Sequence, residues 1–135
     1  MRPGIIGFAV ALVLPVIPVK PVDAQRLAHV VAVDSGLVHG DARLLLTGAA
    51  ERVEMAILGQ SRQYSRAQAQ LRLAQFFREY PPQTFVWTTE EVVAANWFAT
   101  GRYQVSYEEE ATLRIYAHWQ QQHGVWKLSK VHVFR

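Results

Sequence analysis

The chain has 135 residues, of which 14 are basic and 11 acidic, with a formal net charge of +3, four tryptophans and no cysteine. This length favours one domain with a real core, and the lack of cysteine excludes a disulfide framework. Basic residues are scattered singly, and the longest like-charged run, Glu108–Glu110, is acidic. No basic stripe is present, so we expect no nucleic-acid partner.

The first 24 residues resemble an export signal. Arg2 gives the positive start, residues 5–19 (IIGFAVALVLPVIPV) give an apolar run, and the sequence VDA precedes Gln25. This pattern predicts cleavage between Ala24 and Gln25. A membrane anchor is the alternative, but 15 apolar residues interrupted by two prolines are shorter than the roughly 20 that a spanning helix needs.

Cleavage there leaves one domain, residues 25–135, with 12 basic and 10 acidic residues, because Arg2, Lys20 and Asp23 are lost. The mature net charge would be +2. We expect an exported protein, periplasmic or secreted, with no membrane attachment after cleavage. A lipid anchor of the bacterial lipoprotein type would need a cysteine.

Two helices and a strand are predicted at the start of the domain. Apolar residues at helical spacing predict a helix over residues 26–39, which Gly40 ends. Asp41 then caps a short helix through residues 42–47. The alternation in RVEMAIL, residues 52–58, predicts a strand with one buried face.

Residues 64–85, YSRAQAQLRLAQFFREYPPQTF, predict a third helix. Ser65 and Gln68 have the spacing of a capping box, and the double proline after Tyr80 ends the helix. Phe76 and Phe77 lie on its apolar face. We interpret this face as a packing surface, because an apolar stripe opposite a polar face needs no ligand to explain it.

Four strands should follow, since the apolar period changes to two in residues 84–89, 96–107, 112–119 and 125–134. Residues 89–97 (TEEVVAANW) also have helix propensity, but we favour a strand. The Gln122-His123-Gly124 turn predicts an antiparallel hairpin for the last two strands, and Gly101 predicts a bulge or bend. The expected fold is α+β, with three N-terminal helices packed on a curved antiparallel sheet to form a cone.

Several short segments resemble the small secreted bacterial proteins grouped as domain of unknown function 4783. They are GDA (40–42), VE (53–54), YSRAQA (64–69), FF (76–77), TF (84–85), Gly101 and LRIY (113–116). That family is similar in fold to the nuclear transport factor 2-like, or cystatin-like, cone, which also houses ketosteroid isomerase and scytalone dehydratase. The resemblance implies a cone with a cavity and no particular activity. The sequence departs from the family pattern after Phe85.

The sequence carries no motif of metal, nucleophilic or cofactor chemistry. The five histidines include no closely spaced pair, and GxSxG and glycine-rich phosphate motifs are absent. We therefore expect no metal and no cofactor. An acid/base site inside the cone would need residues such as Asp34 and Tyr103, although a lone carboxylate on a helix is commonly just solvated. The side chains expected to line the cone are Phe76, Phe77, Trp97, Tyr103, Ile115 and Trp119.

The other face of the sheet is predicted to be polar, with Arg102, Arg114, Tyr116 and His118 as its candidate binding residues. On the last strand, strict alternation would turn Lys130 and His132 inward, whereas a bulge near Ser129-Lys130 would turn His132 outward. Burial of Lys130 without a partner is costly, so we predict the bulge.

These features favour an exported, non-catalytic binding or scaffolding module. It would take a small apolar ligand in the cone or a protein partner on the sheet. A small lyase or isomerase that uses general acid/base chemistry inside the cone is the alternative. Resemblance to cone folds that pair through the sheet implies a weak homodimer.

Overall fold

The computed structural model describes residues 21–106 and 111–135, with side chains from residue 28 onward. The expected export signal up to residue 20 and the Glu108–Glu110 run lie outside this part. The helices are α1 (Pro21–His39), α2 (Ala42–Leu45) and α3 (Arg66–Glu79). The strands are β1 (Ala49–Ile57), β2 (Arg62–Ser65), β3 (Pro82–Val93), β4 (Asn96–Val105), β5 (Thr112–Gln122) and β6 (Val125–Phe134).

The six strands form one sheet in the order β2-β1-β6-β5-β4-β3. Neighbours are antiparallel except β1 and β6, which run parallel. The α+β class is confirmed, but the sheet is mixed, so the expected all-antiparallel sheet was wrong. As predicted, α3 follows the strand β1, but it also follows the short strand β2, which was not predicted, so only α1 and α2 precede the sheet and the description of all three helices as N-terminal was wrong. No helix of the described part is long and apolar enough to cross a membrane.

Local signals at the helix ends are present as predicted. Gly40 ends α1 with a φ of 64°, and the Asp41 carboxylate accepts a hydrogen bond of 3.0 Å from the backbone N–H of Leu44. Ser65 and Gln68 form the reciprocal capping box of α3, at 3.2 and 3.1 Å. These bonds satisfy backbone N–H groups that have no partner inside the helix.

Aromatic rings fill much of the space between the helices and the sheet. Trp97 and Trp119 stack with centroids 4.0 Å apart, and Trp126 meets Trp97 edge-on at 6.0 Å. All three are buried. From α3, the ring of Phe76 packs against Tyr103 of β4 at 5.4 Å. The apolar stripe of α3 is therefore a packing face.

Gly101 of β4 lies against the ring of Phe85 on β3. A Cβ at this position would come within 2.5 Å of the Phe85 ring, so only glycine leaves room for that ring. The register of β3 against β4 shifts nearby, between Trp87 and Thr89. The irregularity expected at Gly101 is thus a bulge in the neighbouring strand.

A second bulge sets which face of β6 is buried. The partner of His118 is Lys130 and that of Trp119 is Leu128, so Ser129 is the extra residue. Trp126, Leu128, Val131 and Val133 are buried, whereas Lys130 and His132 are half-buried on the opposite face. The predicted bulge is confirmed, and it keeps the lysine out of the apolar interior.

We predict that Phe76→Ala lowers the free energy of unfolding by about 3 to 5 kcal/mol, the usual loss when a buried phenylalanine is truncated. The ring is 1% exposed and contacts Tyr103, so a cavity would replace it. Urea unfolding measures the loss. Leu71→Ala on the same helix is the control, because Leu71 is 72% exposed, and it should change the free energy by well under 1 kcal/mol. Equal losses in the two variants would show that the ring does not hold the core.

Candidate binding surface on the outer face of the sheet

The interior residues predicted to line the cone are buried. Their exposed fractions range from 0 to 6%. The Tyr103 hydroxyl donates a hydrogen bond to the backbone carbonyl of Tyr80, the residue that follows α3. Asp34 is half-buried on α1, and no hydrogen bond joins it to Tyr103 within the described residues. The two acid/base candidates are therefore not joined by a hydrogen bond.

The candidate residues of the outer face lie in rows that run across the strands. Directly paired residues share a face in an antiparallel sheet. One row joins Glu91, Phe98, His118 and Lys130, and continues to Glu54 on β1. The next row joins Thr89, Thr100, Tyr116 and His132, and the third joins Val86, Arg102, Arg114 and Phe134. The register thus brings Arg102, Arg114, Tyr116 and His118 onto one surface.

Four rings form a cluster on this face, which we call the outer aromatic cluster: Phe98, Tyr116, His118 and His132. Phe98 and His118 stack at 4.5 Å with an angle of 16° between the rings. Tyr116 lies 6.2 Å from Phe98 and 5.9 Å from His132. His118 is only 9% exposed, and its Nε2 lies 2.9 Å from Asn96 Oδ1.

Burial favours the uncharged form of two members of the cluster, His118 and Tyr116. Burial, and to a smaller degree the positive charge of Lys130, lower the pKa of His118. Burial raises the pKa of the Tyr116 hydroxyl. A neutral imidazole and a protonated phenol can donate and accept hydrogen bonds, and their flat faces can pack against apolar groups.

An ionic group borders the cluster. Glu54 Oε2 lies 3.0 Å from Lys130 Nζ and 3.2 Å from His132 Nε2. The hydrogen bond from Lys130 is the main cause that lowers the pKa of Glu54. These contacts explain how Lys130 and His132 are accommodated once the bulge turns them away from the core.

Arg102 and Arg114 form an exposed basic pair on the third row. They lie directly opposite each other on β4 and β5, an arrangement in which like charges repel. Neither has an ion-pair partner among the described residues. Within the described residues, the two arginines therefore form a positive patch at this end of the face.

An acidic cleft of about 570 Å³ lies on this face, bordered by the outer aromatic cluster and the edge strand β3. Its lining residues are Thr89, Glu90, Glu91, Phe98, Thr100 and Tyr116. Two carboxylates thus lie beside two aromatic rings, and no lysine or arginine of the described residues lines this cleft. Such a lining suits a cation that can also stack on a ring.

Sequence reasoning missed part of this surface. Phe98, His132, Glu54 and Glu91 were not among the candidates, although period-two alternation places Phe98 on the same face as Arg102. Cross-strand register, which brings Glu91 and His118 to opposite sides of Phe98, has no signal in the sequence. Among the described residues, no group of three His, Asp or Glu side chains is arranged to hold a metal ion.

Comparison with known structures identifies the class of fold. The chain is similar to a protein of the nuclear transport factor 2-like family from Streptomyces avermitilis (TM-score 0.60, 13% identity, 84% of this chain and 95% of that chain). It is also similar to a cystatin fold protein from Novosphingobium aromaticivorans (TM-score 0.62, 13% identity, 82% and 98%). The fold is therefore the cone of these α+β proteins.

The family follows from the sequence itself. The profile of the family Domain of unknown function (DUF4783) matches residues 30–133, and the chain belongs to this family. A DUF4783 family protein from Bacteroides ovatus has a similar structure, with a TM-score of 0.71 and 12% identity over 77% of this chain and 92% of that chain. No curated protein matches the sequence.

We predict that the protein loses stability as the pH falls from about 7 to about 5, and that His118→Gln reduces this loss. Because the pKa of His118 is lowered in the folded state, the unfolded chain binds a proton more readily below the ordinary histidine pKa of about 6.5. The lowered pKa values of His29 and Glu54 act in the same direction at acidic pH.

Melting temperature measured against pH tests this. The control is His123→Gln, because His123 is exposed in the β5–β6 turn, and this variant should keep the wild-type pH dependence. A pH dependence that is the same in His118→Gln as in wild type would contradict the assignment.

Proposed function

We propose that this protein is an exported, non-catalytic binding module, and that the outer face of the sheet is the surface on which it binds a protein partner. The outer aromatic cluster is the observation that supports this most strongly. Phe98 and Tyr116 are only half-buried, so their rings are accessible to a partner. Contacts within the cluster hold the rings in place without a ligand. Aromatic residues and arginine are enriched where proteins bind each other, and lysine and glutamate are depleted there.

The charges of the face fit binding better than catalysis. The lowered pKa of His118 and the raised pKa of Tyr116 both favour the uncharged form, and the His118 ring nitrogen already has Asn96 as a hydrogen-bond partner. A general acid and a general base would need pKa values near the working pH and a shared substrate atom. The face instead offers flat rings between a basic and an acidic area.

A small ligand in the interior is the second candidate. Its support is that the indole N–H groups of Trp87 and Trp119 are buried and have no hydrogen-bond partner among the described residues. A buried donor without a partner costs about 1 to 3 kcal/mol, which an acceptor on a ligand would recover. The lyase or isomerase alternative has less support, because the Tyr103 hydroxyl is bonded to a backbone carbonyl.

A photoreactive amino acid in place of Tyr116 tests the proposal in cells of the producing organism. We expect a discrete covalent adduct with a protein, because Tyr116 lies at the centre of the proposed surface. The same amino acid in place of Leu71, which is exposed on α3, is the control and should give no such adduct. Phe98→Ala removes the neighbouring ring and leaves the crosslinking position unchanged, so it should reduce the yield of this adduct.

The same adducts from both positions, or none from Tyr116, would contradict a binding role for this face. Native mass spectrometry of the protein purified from the producing organism tests the second candidate function, a small ligand bound in the interior. A small molecule that is retained by wild type and lost in Trp119→Phe, which keeps an aromatic ring but removes the buried indole N–H donor, would place the binding site in the interior.

Export of the protein and cleavage of its signal are tested separately. We predict that the mature chain begins at Gln25, because the sequence VDA follows an apolar run broken by prolines. Amino-terminal sequencing of protein recovered from the periplasm or the medium should give Gln25. Retention of Met1 would contradict cleavage, and an unprocessed protein in the membrane fraction would support the anchor.

A further inference from the structure

The second half of the edge strand β3 is exposed on both of its faces. All residues from 88 to 95 are exposed, although Trp97, which pairs with Val92 on β4, is buried. Val92 and Val93 are 42% and 51% exposed. The other edge of the sheet, β2, has only four residues. Within the described residues, β3 is therefore the longer edge whose outer backbone N–H and C=O groups pair with no strand.

This part of β3 keeps an extended shape beyond its bulge. The hydroxyl of Thr88, the extra residue of the bulge, donates a hydrogen bond of 3.0 Å to the backbone carbonyl of Thr100. Pairing with β4 then continues without a shift from Thr89 to Val93. An edge that is already extended loses little conformational entropy when another strand joins it.

We propose that an extended segment of a partner protein joins the sheet as an additional strand beside residues 88–93, and that this segment carries arginine or lysine. The outer backbone groups of β3 supply hydrogen bonds along the segment, as in other complexes formed by strand addition. Its basic side chains enter the acidic cleft. This inference rests on the proposed function of the outer face, because it names the form and charge of the partner segment that the face binds.

Two adjacent carboxylates set the charge of the partner segment. Glu90 and Glu91 are exposed, and both line the acidic cleft. The Glu108–Glu110 run follows the other end of β4, away from the β3–β4 turn, and it is also acidic, so it does not offset these charges. A strand that covers this edge takes water from the carboxylates, which is costly unless the strand supplies charged hydrogen-bond donors.

A long cationic side chain can also reach the ring at the floor of the cleft. A strand added beside β3 lies two strand spacings, about 10 Å, from β4. The stacking partners of Phe98, which are Tyr116 and His118, both belong to β5, and Phe98 lines the cleft together with Glu91. A guanidinium at this position can bond the carboxylate and lie against the ring.

A second copy of this chain fits the same edge poorly. Antiparallel pairing of two identical edges, centred on residues 88–93, would bring Glu90 and Glu91 of both copies together, and like charges on neighbouring strands repel. Charged side chains on an edge strand commonly protect it from such self-pairing. The same two residues therefore disfavour self-association and favour a basic segment.

Synthetic peptides test the strand addition. The probes are peptides of about ten residues that alternate arginine with threonine or valine, and fluorescence anisotropy measures their binding to residues 25–135. We expect binding that weakens as salt increases. N-methyl groups on every second backbone nitrogen keep the charge of the peptide but block one of its two edges. Methylation in one of the two possible frames should therefore weaken binding at least about tenfold, and methylation in the other frame should have little effect.

Hydrogen exchange and a charge reversal complete the test. On binding, alternate backbone amides of residues 88–93 should exchange more slowly, a change that electrostatic attraction alone would not produce. Glu91→Arg should weaken binding of the arginine peptides at least about tenfold and favour peptides with glutamate instead. Glu51→Arg, exposed on β1, is the control and should leave binding unchanged, and melting curves should show that both variants are folded. No binding by any of these peptides, or equal weakening in both methylation frames, would overturn the proposal.

Crosslinking in cells separates this inference from the proposed function. Glu91→Arg should reduce the adduct formed by the photoreactive amino acid at position 116. An unchanged adduct would show that the edge is not the site, while the binding role of the face stands. Peptide binding at the edge without any adduct from position 116 would confine binding to the edge and contradict the role of the face.

Discussion

Much of this structure depends on one extra residue in the last strand. Ser129 has no cross-strand partner, and this single insertion exchanges the two faces of the second half of β6. Val131 and Val133 thereby enter the core, and Lys130 and His132 reach Glu54 on the parallel neighbour β1. Without the insertion, an unpaired ammonium would lie among the tryptophans, at a cost of several kcal/mol.

The same insertion was predictable because its cause is local and energetic. The helix ends were predictable for a similar reason, since Asp41, Ser65 and Gln68 bond backbone groups within three residues of themselves. The parallel pairing of β1 with β6 was not predictable in this way. Alternation in a strand reports that one face is buried, but it carries no information about the direction of a neighbour more than 70 residues away. The strand β2 was missed because its sequence, RQYS, is short and polar and pairs at the edge of the sheet.

The surface could be predicted one strand at a time, but not as a whole. Alternation assigned Arg114, Tyr116 and His118 to one face of β5, and the structure agrees. The neighbours that give these residues their properties come from other strands: Phe98 stacks on His118, and Asn96 bonds it. Such relations depend on register, which the bulges at Thr88 and Ser129 set by shifts of one residue. A sequence pattern therefore predicts which residues share a surface more readily than it predicts where the clefts of that surface lie.

The two faces of the sheet differ in which polar groups and charges lack a partner. Inside, the Tyr103 hydroxyl has a backbone partner, whereas the indole N–H groups of Trp87 and Trp119 have none among the described residues. On the outer face, His118 is buried, although a side chain on the water-exposed face of a sheet is usually solvated. Arg102 lies directly opposite Arg114. His118 is stabilised by its contacts with Phe98 and Asn96, so among the described residues of this face the paired arginines are the costly arrangement. An acidic partner surface would reduce their repulsion. That cost supports the proposed binding role of the face.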